Sequence, residues 1–157
     1  MESMIELKER HLRRWLRRSW GEAGIEWIEA GLGGTQGLPD VKLFAQAREL
    51  GVELKIGVPA LNGLRIRLRP SQARYHKLMA LEGRQTAFLI GLGIGSSFAV
   101  YAASGHVVAS YGQILPWSEL IRVAEDQGES ISVDRQRIEA VLFGGANAES
   151  GLASTGA

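Results

Sequence analysis

A chain of 157 residues that is 45% apolar and 22% charged can bury the core of one domain, and the absence of cysteine excludes disulfides and thiolate metal sites. No apolar run approaches the length of a membrane span, and the basic N-terminus lacks the apolar segment of a signal peptide, so a cytoplasmic location with no membrane partner is expected. The net charge of +1 hides an asymmetry: residues 1 to 84 hold 15 of the 18 Lys and Arg and 10 of the 17 Asp and Glu, a basic excess that suits a polyanionic partner or a solvated helix face.

Residues 4 to 20 are predicted to be a helix. Ile5, Leu12, Trp15, Leu16 and Trp20 fall near helical spacing, and Ser3 stands where an N-cap would, with Glu6 three residues on. Arg10, Arg13, Arg14, Arg17 and Arg18 line the other side, as phosphate contacts or as a solvated basic face. A first strand is expected over 24 to 29, and Glu29 at its end reads as a surface carboxylate. Gly31, Gly33, Gly34 and Gly37 then form a loop whose irregular spacing fits no phosphate-binding fingerprint.

Residues 37 to 57 carry the chemistry. A strand is expected over Asp40 to Phe44, behind Pro39, and a second over Glu49 to Ile56, with Ala45 to Arg48 as a hairpin turn. Strand side chains alternate, so Glu53 and Lys55 share one face while Leu54 points into the core. A closed hairpin brings Asp40 beside Glu53. Two carboxylates so placed suit a hard divalent cation with oxygen ligands, and a nearby lysine can orient a water or stabilise negative phosphate oxygens. Glu53 and Lys55 equally suit the solvent face of an amphipathic strand.

Asn62-Gly63 signals a turn. Arg65, Arg67 and Arg69 alternate with Ile66 and Leu68, so three guanidiniums project on one side of an extended segment, facing phosphates or guarding a strand edge. Pro70 opens a helix whose buried side is expected from Ala73, Leu78, Met79 and Leu81. Gln72 and His76 share another face; on residues alone Gln72 closes the helix cap, and Tyr75 and His76 are weaker site candidates. Strands are expected over 85 to 90 and 98 to 103. Gly91, Gly93 and Gly95 lie between them in a hairpin loop, since G-x-G-x-G is not a dinucleotide fingerprint. Residues 106 to 111 extend the sheet or lie over it. Two short acidic helices are expected over 116 to 127 and 133 to 143, packed on the core or on a second subunit, and 144 to 157 reads as a disordered tail. The organisation expected is a core over 1–111, a helical extension of the same domain over 112–143, and that tail.

Gly-Leu-Pro-Asp at 37–40, a strand, Val-Glu-Leu-Lys at 52–55, a loop, Leu-Arg-Pro-Ser-Gln at 68–72 and an amphipathic helix follow in the order seen in the PD-(D/E)XK nuclease superfamily. The stretch from Glu9 to about Ile90 resembles its small stand-alone phage and prophage members, similar to the VRR-NUC and Holliday-junction-resolvase branches, and the resemblance weakens after Tyr101. It implies an α/β fold: a mixed central β-sheet flanked by helices, with a restriction-endonuclease-like αβββαβ core. It also implies a Mg²⁺-dependent DNA endonuclease, with Mn²⁺ as a substitute. By the resemblance, the metal is held by Asp40, Glu53 and the Leu54 backbone carbonyl. Lys55 assists, Gln72 orients substrate or water, and Glu9 serves a second metal, with Glu6 as its competitor. Arg65, Arg67 and Arg69 would contact DNA. Two other readings stand beside it: a non-cutting DNA-binding protein on a degenerate nuclease fold, and a partner-dependent subunit of a phage DNA-processing complex docked through the acidic C-terminal helices. A homodimer would set two sites on a symmetric junction. Nothing in the sequence requires one, and nothing chooses among junction, flap, nick, end or RNA.

Overall fold

Alternating and continuous apolar runs build one sheet in a computed structural model that describes residues 7–28, 37–95, 97–126 and 135–144. In chain order the elements are α1 (Glu9–Trp20), β1 (Ile25–Trp27), β2 (Val41–Ala45), β3 (Arg48–Ala60), β4 (Gly63–Arg65), α2 (Pro70–Leu81), β5 (Thr86–Ile94), β6 (Ser97–Ser104), α3 (Gly105–Tyr111), β7 (Ile114–Pro116), β8 (Ile121–Asp126) and α4 (Arg135–Phe143). The main sheet runs β1-β2-β3-β5-β6-β8, and β4 and β7 form a small flap paired to the far end of β3. Neighbours are antiparallel except β3 and β5, which are parallel and joined through α2, as a parallel pair requires a crossover. The mixed sheet flanked by helices agrees with the expected α/β class.

Each face of the sheet has its own core. On one face, Leu12, Trp15, Leu16 and Trp20 of α1 and Ile138, Leu142 and Phe143 of α4 pack on Val41, Leu43, Leu50, Val52, Leu54 and Leu89. On the other, Phe88, Ile90 and Leu92 of β5 pack with Leu64, Ile66, Val108 and Leu115. Strand β5 is apolar on both sides because both sides are covered. Strand β3 is not: Leu50, Val52 and Leu54 face α1, which leaves Gly51, Glu53 and Lys55 toward α2. This difference between neighbouring strands creates the polar site.

Several expectations are corrected. Helix α1 starts at Glu9 with Lys8 in the cap position, where the Lys8 backbone N–H donates to His11 Nδ1 at 2.9 Å, so residues 7 and 8 do not belong to the helix expected over 4 to 20. Ser3, Glu6, Glu29 and Gly31 to Gly34 lie outside the described residues, as does the expected tail beyond Gly144. Of the two alternatives for residues 106–111 the second holds: residues 105–111 form helix α3, whose Val108 packs over β5. The helix expected over 116–127 is instead the end of β7, one 3₁₀ turn and β8. Ile121 and Val123 are β-branched, and pairing with β6 decides the conformation. Among the described residues of the expected helical extension, α4 is the α-helix.

Helix α2 departs from expectation in the way that matters most. Its buried residues are Gln72 and His76, while Leu78 is 54% and Leu81 83% exposed. The helix is laid on the sheet by its polar side.

Candidate active site

Asp40 immediately precedes β2, and Val41 pairs with Val52, which places Asp40 in line with Glu53 across the hairpin. Asp40 Oδ2 accepts the Leu54 backbone N–H at 2.8 Å. That bond fixes the Pro39-Asp40 corner to the middle of β3. Glu53, 1% exposed, faces α2, as does Lys55 two residues on.

Gln72 ties the group together. Its Nε2 donates to Glu53 Oε1 at 3.0 Å, and its Oε1 accepts from Lys55 Nζ at 2.9 Å and from the Arg69 backbone N–H at 3.0 Å. A carboxylate only accepts and an ammonium only donates, so the amide has one orientation that satisfies both. Pro70 at the first helical position sets where α2 begins and therefore where Gln72 falls.

Electrostatics follow from this crowding. Burial, then the charge of Glu53, pushes the Asp40 carboxyl up from 3.8 to about 6. Burial raises Glu53 too, while Asp40, Lys55 and Arg69 pull it back only in part. Burial lowers Lys55 against the attraction of Glu53 and Asp40. Two carboxyls that resist joint ionisation are a donor set suited to a cation, because a cation relieves both burial and mutual repulsion. Glu53 Oε2 has no hydrogen-bond partner among the described residues, so an oxygen remains for such a ligand.

The other expected site residues are placed differently. Glu9 sits at the start of α1 with its carboxylate on Arg13 at 3.1 Å, and Arg13 in turn reaches Asp40 at 4.0 Å. Glu9 thus borders the site through an arginine. Among the described residues, no three His, Cys, Asp or Glu side chains converge as a metal-binding group. Arg65, Arg67 and Arg69 are exposed, with Ile66 buried and Leu68 half-buried between them, so the alternation holds. Arg69 is the member whose charge acts on Glu53 and Lys55. Arg65 lies in β4 on the flap, opposite Val58 and Ile114. The α1 arginines are partly committed: Arg13 and Arg17 lie over the Trp27 ring at 5.1 and 4.7 Å, and Arg17 pairs with Glu22 at 3.0 Å.

His76 was the undervalued residue. It is fully buried, with Nε2 3.5 Å from Glu53 Oε2 and Nδ1 2.6 Å from Thr86 Oγ1. Burial, with Lys55 nearby, lowers its pKa to about 4, so it is neutral near pH 7. The signal available in sequence was the four-residue spacing from Gln72, which puts both on one helix face.

A groove of about 610 Å³ lies around the start of β3, lined by Lys42, Arg48, Glu49, Gly51, Arg84 and Phe143 among others; there Lys42 pairs with Glu49 at 3.8 Å and Arg48 donates to the Phe143 carbonyl. Lys42 and Gly51 are each two strand residues from Asp40 and Glu53, about 7 Å along the strands.

No model of a known protein family matches the chain, and no curated protein matches its sequence. Among the described residues, no helix is long and apolar enough to cross a membrane.

Proposed function

We propose that the chain is a metal-dependent deoxyribonuclease that hydrolyses phosphodiester bonds as an endonuclease, acting in the cytoplasm of a bacterial or phage-infected cell. The observation that carries this reading is the carboxylate pair of half-buried Asp40, fixed by the Leu54 N–H, and buried Glu53, which Gln72 ties to Lys55. The donor set fits a hard divalent cation: two carboxylates, one with a free oxygen, and strand carbonyls beside them. Asp40, Glu53 and the Leu54 carbonyl would hold Mg²⁺, or Mn²⁺ in its place. When bound, the cation would acidify water and offset charge on the phosphate.

The protein's own groups do the rest. Asp40 keeps its position through the Leu54 N–H, and Glu53 through Gln72. Lys55, partly buried and aimed by Gln72 Oε1, supplies positive charge where phosphate oxygens gain negative charge. Arg69 adds charge at the same end of α2, and Arg65 and Arg67 continue along the extended segment as contacts to successive phosphates. Arg84, in the groove around the start of β3, offers one further cation for a strand leaving the site.

The test is incubation of the pure protein with labelled duplex, single-stranded, flap and four-way DNA, each with Mg²⁺ or with excess chelator. Metal-dependent cutting of at least one substrate is expected. Binding without cutting on every substrate would instead favour a non-cutting DNA-binding protein.

A further inference from the structure

Beneath the carboxylate pair lies a buried polar chain that the proposed reaction does not itself use. His76 is wholly enclosed. Phe88 packs on its ring at 4.6 Å between centroids, and Tyr75 meets it edge-on at 5.2 Å. Gly105, the first residue of α3, closes the remaining side: a Cβ there would overlap Thr86 Oγ1 and lie 2.7 Å from His76 Nδ1. The two ring nitrogens of His76 face one partner each. Nδ1 lies 2.6 Å from Thr86 Oγ1, and Nε2 lies 3.5 Å from Glu53 Oε2. At 3.5 Å the second approach is too long for a hydrogen bond, and neither of those two atoms has another partner among the described residues.

We propose that Thr86 and His76 form a positioning relay for the metal carboxylate: Thr86 O–H donates to His76 Nδ1, which fixes the tautomer with the proton on Nε2, and Nε2–H holds Glu53 Oε2 in its cation-binding orientation. The chemistry of the partners sets the direction. A carboxylate that ligates a cation is ionised and can only accept, so the nitrogen facing it must carry the proton. A neutral imidazole has one N–H, so Nδ1 must then accept, and a threonine hydroxyl is able to donate to it. Gln72 already grips Glu53 Oε1. With His76 on Oε2, each carboxylate oxygen has one protein donor and one lone pair left for a cation. The long Nε2–Oε2 approach closes when ligand pulls the carboxylate into its working geometry, as site hydrogen bonds commonly tighten on loading. Glu53 would thus be gripped from α2 at Gln72 and His76 and, through Thr86, from the start of β5. The relay rests on the reading of Glu53 as a metal ligand.

The experiment uses the full chain, with wild type and Thr86→Val, which keeps the side-chain shape and deletes the hydroxyl. Imidazole ¹⁵N NMR of the metal-free protein near pH 7 reads the His76 tautomer, and calorimetric titration with Mn²⁺ reads affinity. Thermal melts confirm that both proteins fold. The proton is expected on Nε2 in wild type and divided between the nitrogens in Thr86→Val, with Mn²⁺ affinity about tenfold lower in the variant, the size typical of losing an outer partner of a metal ligand. His76→Gln, which retains an amide N–H toward Glu53, is expected to bind Mn²⁺ better than His76→Leu. A wild-type proton on Nδ1 would overturn the relay whatever the metal does. Mn²⁺ binding unchanged by Thr86→Val would overturn the relay alone, whereas no Mn²⁺ binding by wild type would overturn the metal reading and the relay with it.

Discussion

Lys55 and Asp40 are both held in places that cost them their preferred charge state, and each cost has a measurable consequence. Lys55 is lowered by burial against the opposing pull of Glu53 and Asp40. If its charge serves the transition state, Lys55→Ala should slow single-turnover cleavage at saturating protein by about two or more orders of magnitude, while DNA affinity in Ca²⁺ falls far less. A rate fully restored by saturating protein would reduce Lys55 to one more grip on DNA. For Asp40 the folded carboxyl binds its proton more tightly than the unfolded one, 3.8 rising to about 6. Between about pH 4 and 6 the folded chain therefore holds a proton the unfolded chain releases, and stability falls as pH rises through that window. Asp40→Asn should then stabilise the metal-free protein at pH 7 by about 1–3 kcal/mol, with the gain fading toward pH 4. Denaturant melts at both pH values check this, and equal stability of wild type and variant at pH 7 would contradict it. These carboxylates could be picked out in the sequence because Pro-Asp and acid-x-Lys have fixed spacings on paired strands. His76 could not be weighed, because its meaning comes from Thr86, Gly105 and Glu53, which only the fold brings together.

Helix α2 shows why the elements were legible unevenly. Its existence and start followed from Pro70, but its orientation did not follow from hydrophobicity, since Gln72 and His76 face inward and Leu78 and Leu81 face water. A hydrogen-bonded network outweighs apolar content there, and pattern reading assumes the reverse. Strand β8 was missed for a related reason: six residues beside acidic neighbours carry a weak period, and pairing with β6 settles them. The turn of the β2–β3 hairpin falls where the pattern puts it, but β3 runs past Ile56 to Ala60, and the turn is made by Gln46 and Ala47 at φ 54° and 58° rather than by glycine. Gly37 is the glycine the site depends on. It has φ +92°, and a Cβ there would lie 2.4 Å from the Ser71 carbonyl oxygen at the start of α2. Gly37→Ala should push the Asp40 corner away from α2, costing about 1–3 kcal/mol in a thermal or denaturant melt, and should weaken Mn²⁺ binding as well. Unchanged stability and binding would show that the corner is not fixed there.

On the scale of the whole molecule, the two faces of the sheet divide the work. The face under α1 and α4 is an apolar core, and the face under α2 and α3 surrounds a polar site with a smaller one. Part of the basic excess of residues 1–84 lies in the exposed Arg65, Arg67 and Arg69 at one side of the site, and part in the α1 arginines, while Lys42, Arg48 and Arg84 share their groove with Glu49. Replacing Arg65, Arg67 and Arg69 by Ala should weaken binding to DNA of every sequence and lower the salt dependence by up to about three units of slope, roughly one per lost phosphate contact. An unchanged slope in a fluorescence titration would mark the row as a solvated edge. The claim on which all of this rests is that Asp40 and Glu53 hold the cation that cuts DNA. Single-turnover cleavage by wild type, Asp40→Asn and Glu53→Gln, each in Mg²⁺ and in excess chelator, measures it most directly. The account predicts cutting by wild type in Mg²⁺ alone, with both variants folded, bound to DNA and inactive; wild-type rates in both variants, or cutting that survives the chelator, would contradict it.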